Sequence, residues 1–271
     1  MTVTLDSDML FQYRRFTLYN SPYVAHDTGC AVDLYPTPGT APSPVSGEVL
    51  DTRTVKAPSK SYAATHDHLI VVDTGEHVAR MLHIDPAVEA GDRIEQGDSL
   101  GSLVRAGFFA PWVPNHIHLG FRDDDTNPYR AAGSLPLSLE LSVTPLDWDG
   151  TGTVVETGKT WARLDAPRHP SPGDTFVGLG SDGGVLDGGF PHYDGGGLLG
   201  NGDRAVVAGR EVGPVSNRDV DWTDCTVNAN GQPVTGLALY CSRDEFGIKI
   251  VGEAVDFELG DDISVTVVPG S

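Results

Sequence analysis

The feature that most constrains this chain is how soon each apolar run is cut short. "AVDLYPTPG", "LIVVDTG" and "HIHLGF" carry a few branched or aromatic residues and then meet Pro, Gly or an Asp corner. With 33 glycines and 19 prolines in 271 residues, the helical spacing of apolar positions is almost never sustained. The spacing predicts an all-β chain, an antiparallel sandwich or barrel built from "GCAVDLY", "SGEVLDTRTV", "DHLIVVDTG", "HVARMLHI", "GDSLGSLV" and "NHIHLGF". "NPYRAAG" is too short to hold a helix alone.

A Pro and an Asp/Gly corner in "LSVTPLDWDGTGT" predict a boundary, with one domain over 1–148 and a β-rich unit over 149–271. Beyond it, "GLGSDGGVLDGGFPHYDGGGLLGNGD" reads as turns. Strands are expected to resume at "RAVVAG", "GLALYCS", "FGIKIVGEAVDF" and "ISVTVVP". "VVDTGEHVARM" and "VVETGKTWARL" look alike, a likeness that hairpin composition explains without a duplication.

Acids outnumber bases 38 to 18, for a formal charge of −20. Lysine occurs only at Lys56, Lys60, Lys159 and Lys249. Self-repulsion of this size is screened by salt, so the composition predicts a halophilic protein working in multimolar salt. It argues against nucleic acid or an anionic membrane as partner, since both need basic patches. Cys30, Cys225 and Cys241 make an odd count with no Cys-x-x-Cys, which suggests reduced thiols, although Cys225 and Cys241 could pair. Arg14-Arg15 is not followed by an apolar stretch long enough for a signal peptide or membrane span. With Met1 as the native start the expected location is the cytoplasm; a trimmed secreted form would read the same.

In a strand over "NHIHLGF", His116, His118 and Gly120 share one face while Ile117, Leu119 and Phe121 share the other. The apolar trio is a core face, so the histidines look into solvent, a groove or a metal. Further features stand with them in the first half: "HDTGCAVD", with His26 and Asp33, before a Pro/Gly corner and the strand "PVSGEV"; and "RMLHIDP", with His83, ahead of the two Gly-Asp turns of "VEAGDRIEQGDSLGSL".

In this order, over about residues 24–122, these motifs resemble the lysostaphin-type (LytM-like) zinc endopeptidases. That family has a duplicated-hybrid-motif β-sandwich core related to biotinyl and lipoyl carriers. The resemblance implies Zn²⁺ held by His26, Asp33 and His118, with His83 and His116 as catalytic histidines. His116 would be the general base, and His83 would assist or stabilise the oxyanion. Two imidazoles and a carboxylate leave a tetrahedral zinc one open position for water. Six residues separate His26 from Asp33 where three are usual. A regular strand would put the two on opposite faces, so a loop or bulge is needed, which Gly29 would permit. Met81 stands where Tyr is usual, and "AGFFAPWVPN" replaces a glycine-rich segment with aromatic bulk.

Other signals point to ordinary structure. His66 and His68 form a second His-x-His read as a solvated strand end, and His77 reads as exposed beside a turn. His169 and His192 fall in Gly/Pro-rich turns. Asp123 to Asp125 lack the alternation of a calcium loop. No Gly-x-Ser-x-Gly elbow occurs, and neither Lys56 nor Lys60 sits on a carrier-type hairpin. The function expected is a zinc metallohydrolase, an endopeptidase acting on a peptide or peptide-containing polymer. The alternative is a LytM-like binding or scaffolding protein without turnover.

Overall fold

A computed structural model describes residues 1–253 and 255–270. Helix among them amounts to two four-residue turns, Ser7–Leu10 and Val24–Asp27, and the fold is all-β with large antiparallel sheets, as the sequence predicts. No helix of the described residues is long and apolar enough to cross a membrane. Two compact units are formed, one of Met1–Phe16 with Cys30–Leu141, the other of Thr17–Gly29 with Ser142–Ser271.

The first unit is an antiparallel sheet in the order Ala31–Tyr35, Ile117–Arg122, Val78–Leu82, His66–Asp73, Gly47–Lys56 and Arg93–Ile94. A short ladder of Ile84–Pro86 with Gly101–Leu103 and a parallel pair of Val3–Asp6 with Leu137–Glu140 complete it. The inner strand Ile117–Arg122 pairs on both edges, and Ile117, Leu119 and Phe121 are buried as expected. The opposite face is covered too. Arg122 is fully buried there, its guanidinium donating to Ser134 Oγ and to the carbonyls of Phe121, Arg130 and Ala131. Met81 is a core residue, in register with Leu119 and Ile70.

In the second unit an antiparallel run takes the order Phe176–Ser181, Gly184–Phe190, Gly195–Gly200, Asp219–Asp221, Arg210–Ser216 and Arg204–Val207. From Gly184–Phe190 a second run passes through Gly236–Leu239, Lys249–Val251, Trp161–Leu164, Thr151–Gly158, Asp262–Pro269 and Cys225–Ala229. Leu164, Leu186, Phe190, Leu198, Val212, Leu237 and Ile250 fill the core.

The glycine-rich stretch that reads as turns is therefore largely strand. The reason is steric rather than conformational. A Cβ on Gly197 would lie 2.3 Å from the Tyr19 ring, and one on Gly196 would lie 2.1 Å from the Trp222 indole. Glycine lets the aromatic rings lie directly on the backbone, so the bulk that marks a strand comes from elsewhere in the chain. The two similar "VV-D/E-TG" segments are both hairpins, turning between Asp73 and Val78 and between Gly158 and Trp161. None of the three cysteines is in a disulfide among the described residues; Cys241 is buried and Cys30 and Cys225 are half-buried.

Candidate metal centre

Asp33 and His118 face each other across the antiparallel pair of Ala31–Tyr35 and Ile117–Arg122, directly opposite in register. Side chains directly opposite in a sheet share one face and touch. Here His118 Nδ1 lies 3.0 Å from Asp33 Oδ1, with Asp33 buried and His118 half-buried.

The His26 side chain is set by a different device. Its four residues form a single helical turn, Val24–Asp27, and the chain leaves it through Gly29 at φ +59°. This supplies the irregular backbone that the six-residue spacing requires. The positive φ favours glycine, and a Cβ there would also push on the Arg218 guanidinium at 2.3 Å and the Tyr19 hydroxyl at 2.8 Å. His26 is buried, and its Nδ1 lies 2.6 Å from the Leu18 carbonyl. A carbonyl only accepts, so Nδ1 carries a proton, which makes Nε2 the ring atom that a metal would use.

His26, Asp33 and His118 each present one ligand atom, and the three atoms lie within 4.8 Å of one another. Ligand bonds of about 2.0–2.1 Å set tetrahedral donor atoms roughly 3.3 Å apart. The 3.0 Å between Asp33 and His118 is close to that spacing. Two imidazoles and one carboxylate suit zinc, whereas Mg²⁺ and Ca²⁺ prefer all-oxygen shells. The residues fit the ion that the motif order implies.

Two more imidazoles stand beside this group. His116 Nδ1 donates to the Pro114 carbonyl at 2.9 Å, which leaves Nε2 3.4 Å from Asp33 Oδ2. Two lone pairs thus face each other, an arrangement that a proton or a cation relieves. Burial pushes the His116 imidazole down to about 3; Asp33 pulls it up, while the charges of His83 and His118 push it further down. His83 sits at φ +73°, in the left-handed region that non-glycine residues rarely occupy. That kink falls between Val78–Leu82 and Ile84–Pro86, and brings the His83 ring within 4.9 Å of the His116 ring and 5.9 Å of the His118 ring, centroid to centroid.

The kink is held by a residue that sequence reading missed. Asp67 is fully buried; its Oδ2 accepts from His83 Nδ1 at 2.6 Å and its Oδ1 from the His83 and His68 backbone N–H groups. A carboxylate thereby fixes the His83 ring, with Nδ1–H toward Asp67 and Nε2 turned away from it. The signal was present in "HDHLIVV": Asp67 alternates with the buried Leu69 and Val71, so it lies on the inward face.

Aromatic side chains close over these histidines. Phe109 stacks on His116 at 4.5 Å and 24°, and meets His83 edge-on at 4.6 Å. The segment is tied down by Arg105, which donates to the carbonyls of Ala110, Pro111 and Val113, and by the Tyr62 hydroxyl on the Phe109 carbonyl. The rebuilt "FFAPWVPN" stretch is thus a cover on the histidine cluster.

The remaining histidines serve other ends. His66 is exposed, and His68 is half-buried, with Nδ1 3.3 Å from Thr54 Oγ1 and Nε2 3.7 Å from Asp85. His77, read as exposed, is half-buried, because its ring meets Phe121 edge-on at 6.4 Å. His169 is buried and bridges the Thr175 carbonyl and the Ser171 N–H. Burial lowers His192 to about 4.

An all-β chain with a His/Asp/His group of this kind is β-rich and could bind a metal. It belongs to the family described as "Domain of unknown function (DUF8155)": the N-terminal domain of that family matches residues 4–139 and the C-terminal domain residues 144–268. No curated protein matches the chain. Among solved structures, LytU is similar at 22% identity over 40% of this chain and 68% of its own, with a TM-score of 0.29. Lysostaphin from Staphylococcus simulans, described as an antimicrobial peptidase, is 14% identical over 95% of this chain and 96% of its own, TM-score 0.29. A solution structure of lysostaphin gives 15% identity, 96% of each chain and a TM-score of 0.28.

Proposed function

We propose that this protein is a zinc-dependent metallohydrolase, an endopeptidase acting on a peptide or a peptide-containing polymer. The observation that carries the reading is the mutual approach, within 4.8 Å, of ligand atoms from His26, Asp33 and His118. His26 would bind through Nε2, and His118 and Asp33 through the atoms that already face each other. When bound, zinc supplies Lewis acidity, which polarises a carbonyl and makes a nucleophile of water near neutral pH.

The protein's own groups handle the protons. His116, kept unprotonated by burial and with Nδ1 held by Pro114, presents Nε2 as the acceptor for the nucleophile's proton. It would return that proton to the leaving amine. His83, once protonated at Nε2, donates to the oxyanion that forms as the peptide carbonyl is attacked, while Asp67 accepts from Nδ1. The charge of −20 fits work in high salt, where such a surface is screened.

One observation favours a second reading, a binding protein without turnover. His116 is only 3% exposed and lies under Phe109, so a substrate has to displace that ring. Incubating the zinc-loaded protein with a mixed-sequence peptide library, and reading the products by mass spectrometry, separates the two. Cleavage lost in His118→Ala supports the hydrolase. Zinc bound at one per chain with every peptide intact, including in Phe109→Ala, overturns it in favour of the binding protein.

A further inference from the structure

We propose that Asp187 is a positioning residue for the metal centre, fixing the His26 imidazole through the intervening backbone at Leu18. This rests on the zinc reading above. Asp187 lies in the middle of Gly184–Phe190, on a strand whose neighbours Leu186 and Phe190 belong to the core, and it is fully buried. Its backbone is already in the ladder, in register with Gly197, so the carboxylate is not needed to hold the strand. A carboxylate in such a place is costly unless its oxygens are satisfied.

They are satisfied by a single segment. Thr17 donates its hydroxyl to Oδ1, and the Leu18 N–H donates to Oδ2 at 2.5 Å. The carbonyl of the same Leu18 accepts Nδ1–H from His26 at 2.6 Å. One residue is therefore used at both ends, carboxylate on its N–H and imidazole on its C=O. The two bonds fall on adjacent peptide groups, so the link is one of position: the carboxylate fixes where the Leu18 carbonyl points, and that carbonyl, which only accepts, sets the Nδ1–H form of His26. Supporting carboxylates commonly touch a metal-bound histidine directly; here the support is relayed through the backbone.

Other groups of the same unit clamp the segment around it. The Tyr19 hydroxyl donates to Asp219 at 2.8 Å and accepts from Arg218 Nε at 2.8 Å, while Arg218 also donates to the Gly29 carbonyl at 3.2 Å. Both ends of 17–29 are thus pinned, with His26 between them.

The test uses the full-length Asp187→Asn protein, with two readouts. Zinc affinity is measured by competition with a chromophoric chelator, and the His26 tautomer by long-range ¹⁵N–¹H correlation in the metal-free protein. The wild type is expected to bind one zinc and to show His26 protonated at Nδ1. Asp187→Asn is expected to lose about 10- to 100-fold in zinc affinity and to mix the two His26 tautomers. Thr17→Val, which removes one of the two donors, should move both readouts the same way, and it carries the test if Asp187→Asn does not fold. Wild-type affinity with an unmixed Nδ1–H tautomer in a folded variant overturns the positioning role while leaving the zinc reading intact. A wild type that binds no zinc overturns the zinc reading, and this inference with it.

Discussion

His116-x-His118 and His66-x-His68 share a spacing and both border or enter a strand of the first unit, yet the structure uses them in opposite ways. In the first, the histidines turn toward Asp33 and the intervening Ile117 goes to the core. In the second, His66 is exposed and His68 half-buried beside Thr54 and Asp85, while the intervening Asp67 lies on the other face and holds His83. The motif alone does not decide. What decides is the residue opposite: a carboxylate one strand away draws His118 into a cluster, whereas His66 is paired across the sheet with exposed Lys56. A His-x-His is read best together with its strand partners and with the residue between the two rings.

The comparison can be broken most sharply at His118. His118→Ala should lose zinc affinity by more than the ~10–100-fold typical of supporting residues, measured by chelator competition; undiminished binding would make the two pairs equivalent. Next is Asp67→Asn, which should slow cleavage of any identified substrate by up to about 100-fold with zinc content unchanged. It should also alter the His83 tautomer by NMR; a change in neither would return Asp67 to the role of a plain core residue.

A buried histidine, His192, differs from exposed His66 in its response to acid. Burial lowers His192 to about 4, so between its unfolded value near 6.5 and 4 the unfolded chain binds the extra proton. Stability is whole above that window and falls as the pH drops through it, by roughly 1 kcal/mol per pH unit. Urea melts of His192→Gln should show a shallower acid slope than wild type; parallel slopes would contradict the assignment. The smallest effect is expected at His66→Ala, with zinc binding unchanged and stability within about 0.5 kcal/mol.

The strand content and the inward face of Ile117, Leu119 and Phe121 were legible because they depend on alternation within one short run. The likeness of the two "VV-D/E-TG" hairpins was readable for the same reason. His26 was harder, since its position depends on one helical turn and on Gly29 lying against Tyr19 and Arg218, contacts that no local pattern encodes. The strands of the glycine-rich stretch were hidden in the same way, because their aromatic bulk is supplied by Tyr19 and Trp222. Asp67 was legible and overlooked: the two flanking histidines drew attention, though the residue on the apolar face was the one in the cluster.

X-ray absorption at the zinc edge tests the central claim most directly. Protein loaded with one equivalent of zinc should show a nitrogen and oxygen shell at about 2.0–2.1 Å, with the outer scattering of two imidazoles, reduced to one in His118→Ala. A wild-type spectrum with no imidazole scattering, or one that the substitution leaves unchanged, would contradict it.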